Sequence, residues 1–187
     1  LLDIGGERSS AYQQILARTA TRVVTLNIAA STQPDILADI EHPLPCDSQS
    51  FDTVCAINVL EHVFHYQQLL QEMARVVRPG GSVLIVVPFL FPIHPSPQDY
   101  FRYTHSALER LLCDVGLEVV TIRSIGTGVC AAVIQCLHTA LPAVLHRPLQ
   151  WMAVHSDACV AWLAKKVGKK YRAADYPLGY LVLAKKG

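Results

Sequence analysis

The sequence predicts an α/β fold on a doubly wound, mostly parallel seven-stranded sheet. Three observations predict it. Short β-branched and apolar runs recur along the chain. Between them lie stretches whose apolar residues follow helical spacing. Gly- and Pro-rich turns separate the two. Strand, helix, strand in this rhythm gives right-handed crossovers and a sheet covered on both faces.

Leu1–Ile4 is a short apolar run that ends at Gly5-Gly6, a strand and its turn. Ser9–Ala20 carries Ala11, Ile15, Leu16 and Ala20 at near-helical spacing. Arg22–Asn27 is β-branched and strand-like, and Pro34–Ile40 reads as another short strand. Ser50–Asn58 is nearly continuous in apolar residues, as a strand buried on both faces of a parallel sheet should be. Tyr66–Val77 places Leu69, Leu70, Met73, Val76 and Val77 on one helical face. Arg78-Pro79-Gly80-Gly81 stops that helix, and Ser82–Pro88 is the next buried strand. Thr104 is placed to N-cap a helix reaching Val115, with Gly116 just past its end. Leu117–Ser124 and Leu178–Lys185 complete the strands.

Between the last two strands lies an apolar helical insertion, residues 126–175. Val129–Leu145 has only Gln135, His138 and Thr139 as polar breaks, with Pro142 inside it. A second helix, Leu149–Val167, carries Trp151 and Trp162 and ends among Lys165, Lys166, Lys169, Lys170 and Arg172. Three roles fit it: a lid or acceptor pocket, a dimer contact, or a peripheral membrane contact through residues 126–172. A spanning helix is disfavoured, because Val129–Leu145 is short and broken.

At 187 residues the chain is expected to be one domain with a full core. A formal net charge of +1 argues against a general nucleic-acid binder. No secretory leader is recognisable, and the chain does not open on Met, so an N-terminal truncation is expected. The six cysteines form no CxxC pair, which favours reduced thiols and a cytoplasmic setting. Oligomeric state is not legible.

The chemistry-bearing stretch runs from Asp35 to Leu117. It reads Asp39-Ile40, Leu44-Pro45, Ser50-Phe51-Asp52, Leu60-Glu61-His62 and Arg78-Pro79-Gly80-Gly81, then a Pro-rich loop closing on Asp99-Tyr100-Phe101-Arg102-Tyr103-Thr104. This series resembles the class I S-adenosylmethionine-dependent methyltransferases, the branch marked by "LPF…SFD…LEH…RPGG". The resemblance covers residues 1–125 and 177–187. It implies the Rossmann-like methyltransferase fold, S-adenosylmethionine as cofactor and methyl transfer to a small-molecule acceptor.

The family turn after the first strand reads D-x-G-x-G-x-G. Asp3 and Gly5 match it, Glu7 stands at the second glycine and Ser9 at the third. A Cβ at a left-handed position costs roughly 1–2 kcal/mol, and Gly6 is expected to take over the strained conformation. Glu7 also adds a carboxylate near that of the cofactor. Asn27 stands where the family offers an acid to the ribose hydroxyls, and a neutral amide accepts more weakly. Alternatively it caps its strand. The resemblance gives Asp39 the adenine amino group and Ile40 the ring face, and it gives the backbone at Ala56 and Asn58 the methionine part.

His62 begins the next helix near the sulfonium, as a catalytic candidate or as a structural hydrogen bond between loops. No metal site is expected, since His62 and His65 lack a third ligand. The Pro-rich loop supplies His94 as candidate base and Asp99, Tyr100 and Arg102 as substrate contacts, unless Asp99 and Arg102 pair internally. A nicotinamide oxidoreductase would need G-x-G-x-x-G after the first strand, which is absent. A scaffold that has lost the cofactor remains the alternative, favoured by Glu7, Ser9 and Asn27.

Overall fold

The computed structural model describes residues 1–7, 11–137 and 140–187. Seven strands form one sheet: β1 (Leu2–Ile4), β2 (Val24–Asn27), β3 (Ile36–Leu37), β4 (Phe51–Ile57), β5 (Val77–Pro88), β6 (Leu117–Thr127) and β7 (Pro177–Lys186). Their order is β3-β2-β1-β4-β5-β7-β6. β1 lies parallel to both β2 and β4, with Ile4 opposite Leu26 and Ala56. β2–β3 and β4–β5 are also parallel. Among the described residues five α-helices accompany the sheet: α1 (Gln13–Thr19), α2 (Tyr66–Val76), α3 (His105–Asp114), α4 (Val129–Leu137) and α5 (Ala143–Lys166). This is the mostly parallel α/β sheet that the alternation predicts.

The chain divides into two compact units. The first takes Leu1–Val87, Pro95–Ile122 and Leu181–Gly187, and the second Pro88–His94 and Arg123–Tyr180. In the first, Leu2, Ile4, Leu26, Val54, Ala56, Val83 and Ile85 are buried along the central strands. α2 turns Leu69, Leu70, Met73 and Val76 inward, and α3 turns Leu108 and Leu112. The Thr104 hydroxyl accepts from the Ala107 N–H, the N-cap that the sequence predicts. Arg75 and Glu72 pin the Leu44–Ser48 loop to α2: Arg75 donates to the Leu44 and Cys46 carbonyls, and Glu72 accepts from the Leu44 N–H at 2.7 Å.

Several boundaries move for physical reasons. β3 shrinks to two residues, because Asp35 turns back to accept from the Thr25 hydroxyl and N–H. Arg78–Gly81 is not a bare helix stop. It bulges within β5, which already pairs at Val77 with Phe51 and resumes at Ser82 opposite Thr53. Gly80 takes φ +74° in that bulge. Ser9 and Ser10, part of the expected first helix, lie outside the described residues, as do His138 and Thr139.

In the second unit, Pro142 stands at the N-cap of α5 rather than inside a helix. A missing N–H costs nothing there. Pro148 sits within α5 instead. Asp157, buried on α5, accepts from the Cys130 N–H (3.0 Å), the Ala131 N–H (3.2 Å) and the Tyr171 hydroxyl (2.8 Å), capping α4 from the side. A Cβ on Gly128 would meet the Asp157 carboxylate at 2.0 Å, so this close approach needs glycine.

Candidate functional site

The chain runs outward from β1 to β2 and β3, then returns to β4 on the other side of β1. Strand order therefore reverses between β1 and β4, the place where open α/β sheets bind ligands. A crevice of about 460 Å³ opens there, within the first unit. Its walls come from the residues that follow four strands: Gly5 after β1, Asn27 ending β2, Asp39 and Ile40 after β3, and Asn58 after β4. The volume lies in the range of small-molecule sites.

The turn after β1 is built on two contacts that exclude side chains. Gly5 takes φ +74°, and a Cβ on it would come within 2.5 Å of Val59 Cγ2. Gly6 is not in the left-handed region, so it does not take over a strained position as expected. It needs to be bare because a Cβ would meet Asp3 Oδ2 at 2.2 Å. Asp3 is fully buried beneath the turn, not on the crevice wall. Its carboxylate accepts from Gln13 Nε2 and from Cys55 Sγ (3.2 Å). Burial raises the pKa of Asp3 despite these bonds, and it pushes the Cys55 thiol up as well. Glu7 lines the crevice, while Ser9 lies outside the described residues.

Asn27 ties the turn to the second strand. Its amide nitrogen donates to the carbonyls of Gly5 (3.1 Å) and Gly6 (3.3 Å), and its Oδ1 accepts from the Ala29 N–H (3.0 Å). An acid could not make the first two bonds, because both partners would be acceptors.

Asp39 and Ile40 stand together on the crevice wall. Asp39 Oδ1 accepts from the Glu41 N–H at 2.9 Å. Glu41 then accepts from the Phe64 N–H (2.7 Å) and the His65 N–H (3.2 Å), just ahead of α2. Asn58 is left-handed, with φ +52°, which turns the chain sharply off the end of β4. Ala56 is buried within β4 between Ile4 and Ile85, set back from the crevice lining.

His62 lies on a short 3₁₀ turn, Leu60–His62, and its Nδ1 meets the Gln98 carbonyl at 2.5 Å. This bond joins two loops and sets His62 on the crevice wall beside Gln98 and Tyr100. Tyr100 donates its N–H to the Glu61 carbonyl at 2.8 Å. Asp99 and Arg102 form the internal pair that the sequence left open. Two guanidinium–carboxylate bonds join them at 2.5 and 2.7 Å, with the Asp99 side chain 2% exposed. Asp99 holds Arg102 above its ordinary pKa. His94 belongs to the second unit, where its Nδ1 faces the Pro92 carbonyl at 3.0 Å and its ring packs edge-on to Phe91.

Four features were not read from the sequence. Ile28 and Val59 help line the crevice, and Glu41 braces the loop that carries Asp39. An aromatic group also gathers beside it, with Phe64 centred 5.3 Å from Tyr100 and 6.1 Å from Phe101, and Tyr66 5.0 Å from Phe101. Phe64 is half exposed there. The density of aromatics in Tyr100–Tyr103 was a usable signal for this wall. Glu41 gave none, since its partners are more than twenty residues away.

Residues 2–85 match the family described as Methyltransferase domain. The match covers a little under half of the chain and marks that segment as similar to a methyltransferase domain. A Mycolicibacterium smegmatis protein named "Probable S-adenosylmethionine-dependent methyltransferase" is 30% identical over 120 residues, covering 56% of this chain and 47% of that protein. The chain thus spans about half the length of this curated relative. Among solved structures, the geranyl diphosphate C-methyltransferase of Streptomyces coelicolor superposes with a TM-score of 0.64 at 13% identity, over 100% of this chain and 70% of that one. An S-adenosylmethionine-dependent methyltransferase of Mesorhizobium loti gives 0.62 at 16%, over 99% and 90%. At these identities the structural likeness speaks for the methyltransferase fold.

The residues that line the crevice fit S-adenosylmethionine, the cofactor in the name of the Mycolicibacterium relative. A carboxylate at Asp39 and an apolar face at Ile40 stand together, as an adenine requires. The bare Gly5 lets backbone come to the crevice floor. Asn27, which stands where the resemblance expects an acid, already has its amide engaged with the turn.

Proposed function

We propose that the chain transfers a methyl group from S-adenosylmethionine to a small-molecule acceptor of apolar or lipid-like character. The observation that carries this reading is the switch-point crevice in which Gly5, Asn27, Asp39, Ile40 and Asn58 meet. When bound, the cofactor supplies a methyl group already activated on a sulfonium. The chain's own task is to hold, orient and exclude water, and orientation of this kind is worth roughly 7–11 kcal/mol.

In this reading Asp39 accepts from the adenine amino group and Ile40 covers the ring. Gly5 and Asn58 offer backbone to the aminocarboxypropyl end, and His62 borders the reacting region. Tyr100 faces the acceptor, while Asp99 and Arg102 keep the loop rigid so that little ordering entropy is lost on binding. His94 is the candidate base of this reading. A strong base is optional for nucleophiles that lose their proton late. The Streptomyces neighbour, solved with geranyl diphosphate, supports an apolar acceptor on this fold. All six cysteines are free thiols, which supports a cytoplasmic setting. A peripheral membrane contact through residues 126–172 belongs to the same reading, and no nucleic-acid partner does.

Two observations favour a second reading, a scaffold without cofactor: Glu7 on the crevice wall and the engaged amide of Asn27. Titration with S-adenosylmethionine separates the two. At a hundred times its dissociation constant the ligand adds about 2.7 kcal/mol of stability. A rise in melting temperature with cofactor is expected, and its absence at millimolar cofactor would leave the scaffold.

A further inference from the structure

Among the described residues of helix α5, one narrow stripe is buried. Ala153 and Asp157 are buried, with His146, Leu149, Ser156, Val160 and Ala164 half-buried at helical spacing. Asp157 on this stripe reaches the backbone of α4. The opposite face carries Trp151, 66% exposed, and Trp162, 54% exposed. These two stand about three turns apart and so point the same way. Met152 and Leu163 repeat that spacing one residue on, and both are exposed. No Lys, Arg, Asp or Glu occupies this outer face between Arg147 and Lys165.

Charge is gathered at one end instead. Lys165 and Lys166 close the helix, and Lys169, Lys170 and Arg172 follow it, all exposed. The Lys166 ammonium lies 3.8 Å from the Trp162 ring centroid, so a cation and an indole share one place. The second unit holds seven basic and two acidic residues, a net +5, and the rest of the chain carries −4. A second copy laid face to face would bring two units of formal net charge +5 together. Among the described residues no helix is long and apolar enough to cross a membrane.

We propose that the outer face of α5 lies on an anionic phospholipid surface, with Trp151, Met152, Trp162 and Leu163 at the headgroup–acyl boundary and the lysines over the phosphates. An exposed apolar row beside a cationic end is what an interfacial helix requires. It gives the peripheral contact of the proposed function a lipid class and named residues, and its test reads membrane binding whether or not methyl transfer occurs.

The chain contains two tryptophans, both on this face, so intrinsic fluorescence reports it without labelling. The full chain is mixed with vesicles of neutral phosphatidylcholine alone or with added phosphatidylserine. It floats with the anionic vesicles, its emission shifts to the blue, and both effects weaken as salt rises. Replacing Lys165, Lys166, Lys169 and Lys170 by Gln weakens binding about fivefold per lysine. Trp151→Ser with Trp162→Ser abolishes flotation, with helix content by circular dichroism as the control for folding. Two outcomes overturn the proposal. One is no flotation with anionic vesicles at low salt, or equal binding to neutral ones. The other is emission already blue without lipid in a chain that sediments as a dimer, which would mean a second copy covers the face. Should the lysine variant misfold, the comparison of vesicles with the unaltered chain decides by itself.

Discussion

The side-chain amide of Asn27 donates to the carbonyl oxygen of Gly5 across 3.1 Å, joining the end of β2 to the turn after β1. This bond gives Asn27 a job that the family's acid at this place could not do. Asn27→Asp is therefore expected to harm the site rather than repair it. A carboxylate oxygen would then face the Gly5 and Gly6 carbonyl oxygens, acceptor against acceptor, at a cost of about 1–3 kcal/mol. Thermal unfolding and cofactor calorimetry should both show a loss. Tighter cofactor binding by the aspartate variant would return Asn27 to the role of a weak ribose ligand.

Glu7 places a carboxylate on the crevice wall. Glu7→Gln should tighten S-adenosylmethionine, up to about fivefold at low salt, as exposed charges allow. Methylthioadenosine, which lacks the aminocarboxypropyl group, should bind the two proteins alike. An equal gain for both ligands would trace the effect to something other than charge.

These two residues mark where reading the sequence stops. The buried strands β4 and β5 were legible, because residues covered on both faces must form near-continuous apolar runs. So was the Thr104 cap, a local signal. The Asp99–Arg102 pair was legible as a choice, since a three-residue separation permits it without requiring it. Which glycine is left-handed was not legible, because Gly5 and Gly6 are both bare for reasons that lie elsewhere, at Val59 and Asp3. Nor was the donor role of Asn27, whose partners lie about twenty residues upstream. Asp157 left a faint mark as a lone acid in a long apolar helix.

Asp99 is nearly sealed from solvent, and Arg102 is its bidentate partner. Asp99→Ala leaves the guanidinium stranded and should cost about 3 kcal/mol. Arg102→Lys should restore little, since an ammonium cannot reproduce the fork. Urea unfolding measures both. Unchanged stability with lost turnover would make the pair a substrate clamp instead.

Burial acts to raise the Asp157 carboxyl, but the N–H groups of Cys130 and Ala131 and the Tyr171 hydroxyl outweigh it and hold its pKa below the ordinary value. The stability it contributes is therefore complete above the unfolded carboxylate range, about pH 4, and is lost as pH falls through the lower folded value. Asp157→Asn should lower the melting temperature at pH 7 and flatten its decline in acid. A variant curve parallel to the parent's across pH 2–6 would remove Asp157 from the acid response.

Glu41 grips the start of the Phe64–His65 segment through two backbone bonds, while its own N–H is held by Asp39. The loop that would meet a nucleobase and the strip that presents Phe64 thus move as one piece. On the proposed reading, filling the first would stiffen the second, which predicts a sequence of arrival: the nucleoside goes in early, and the acceptor docks afterwards against aromatics already set in place.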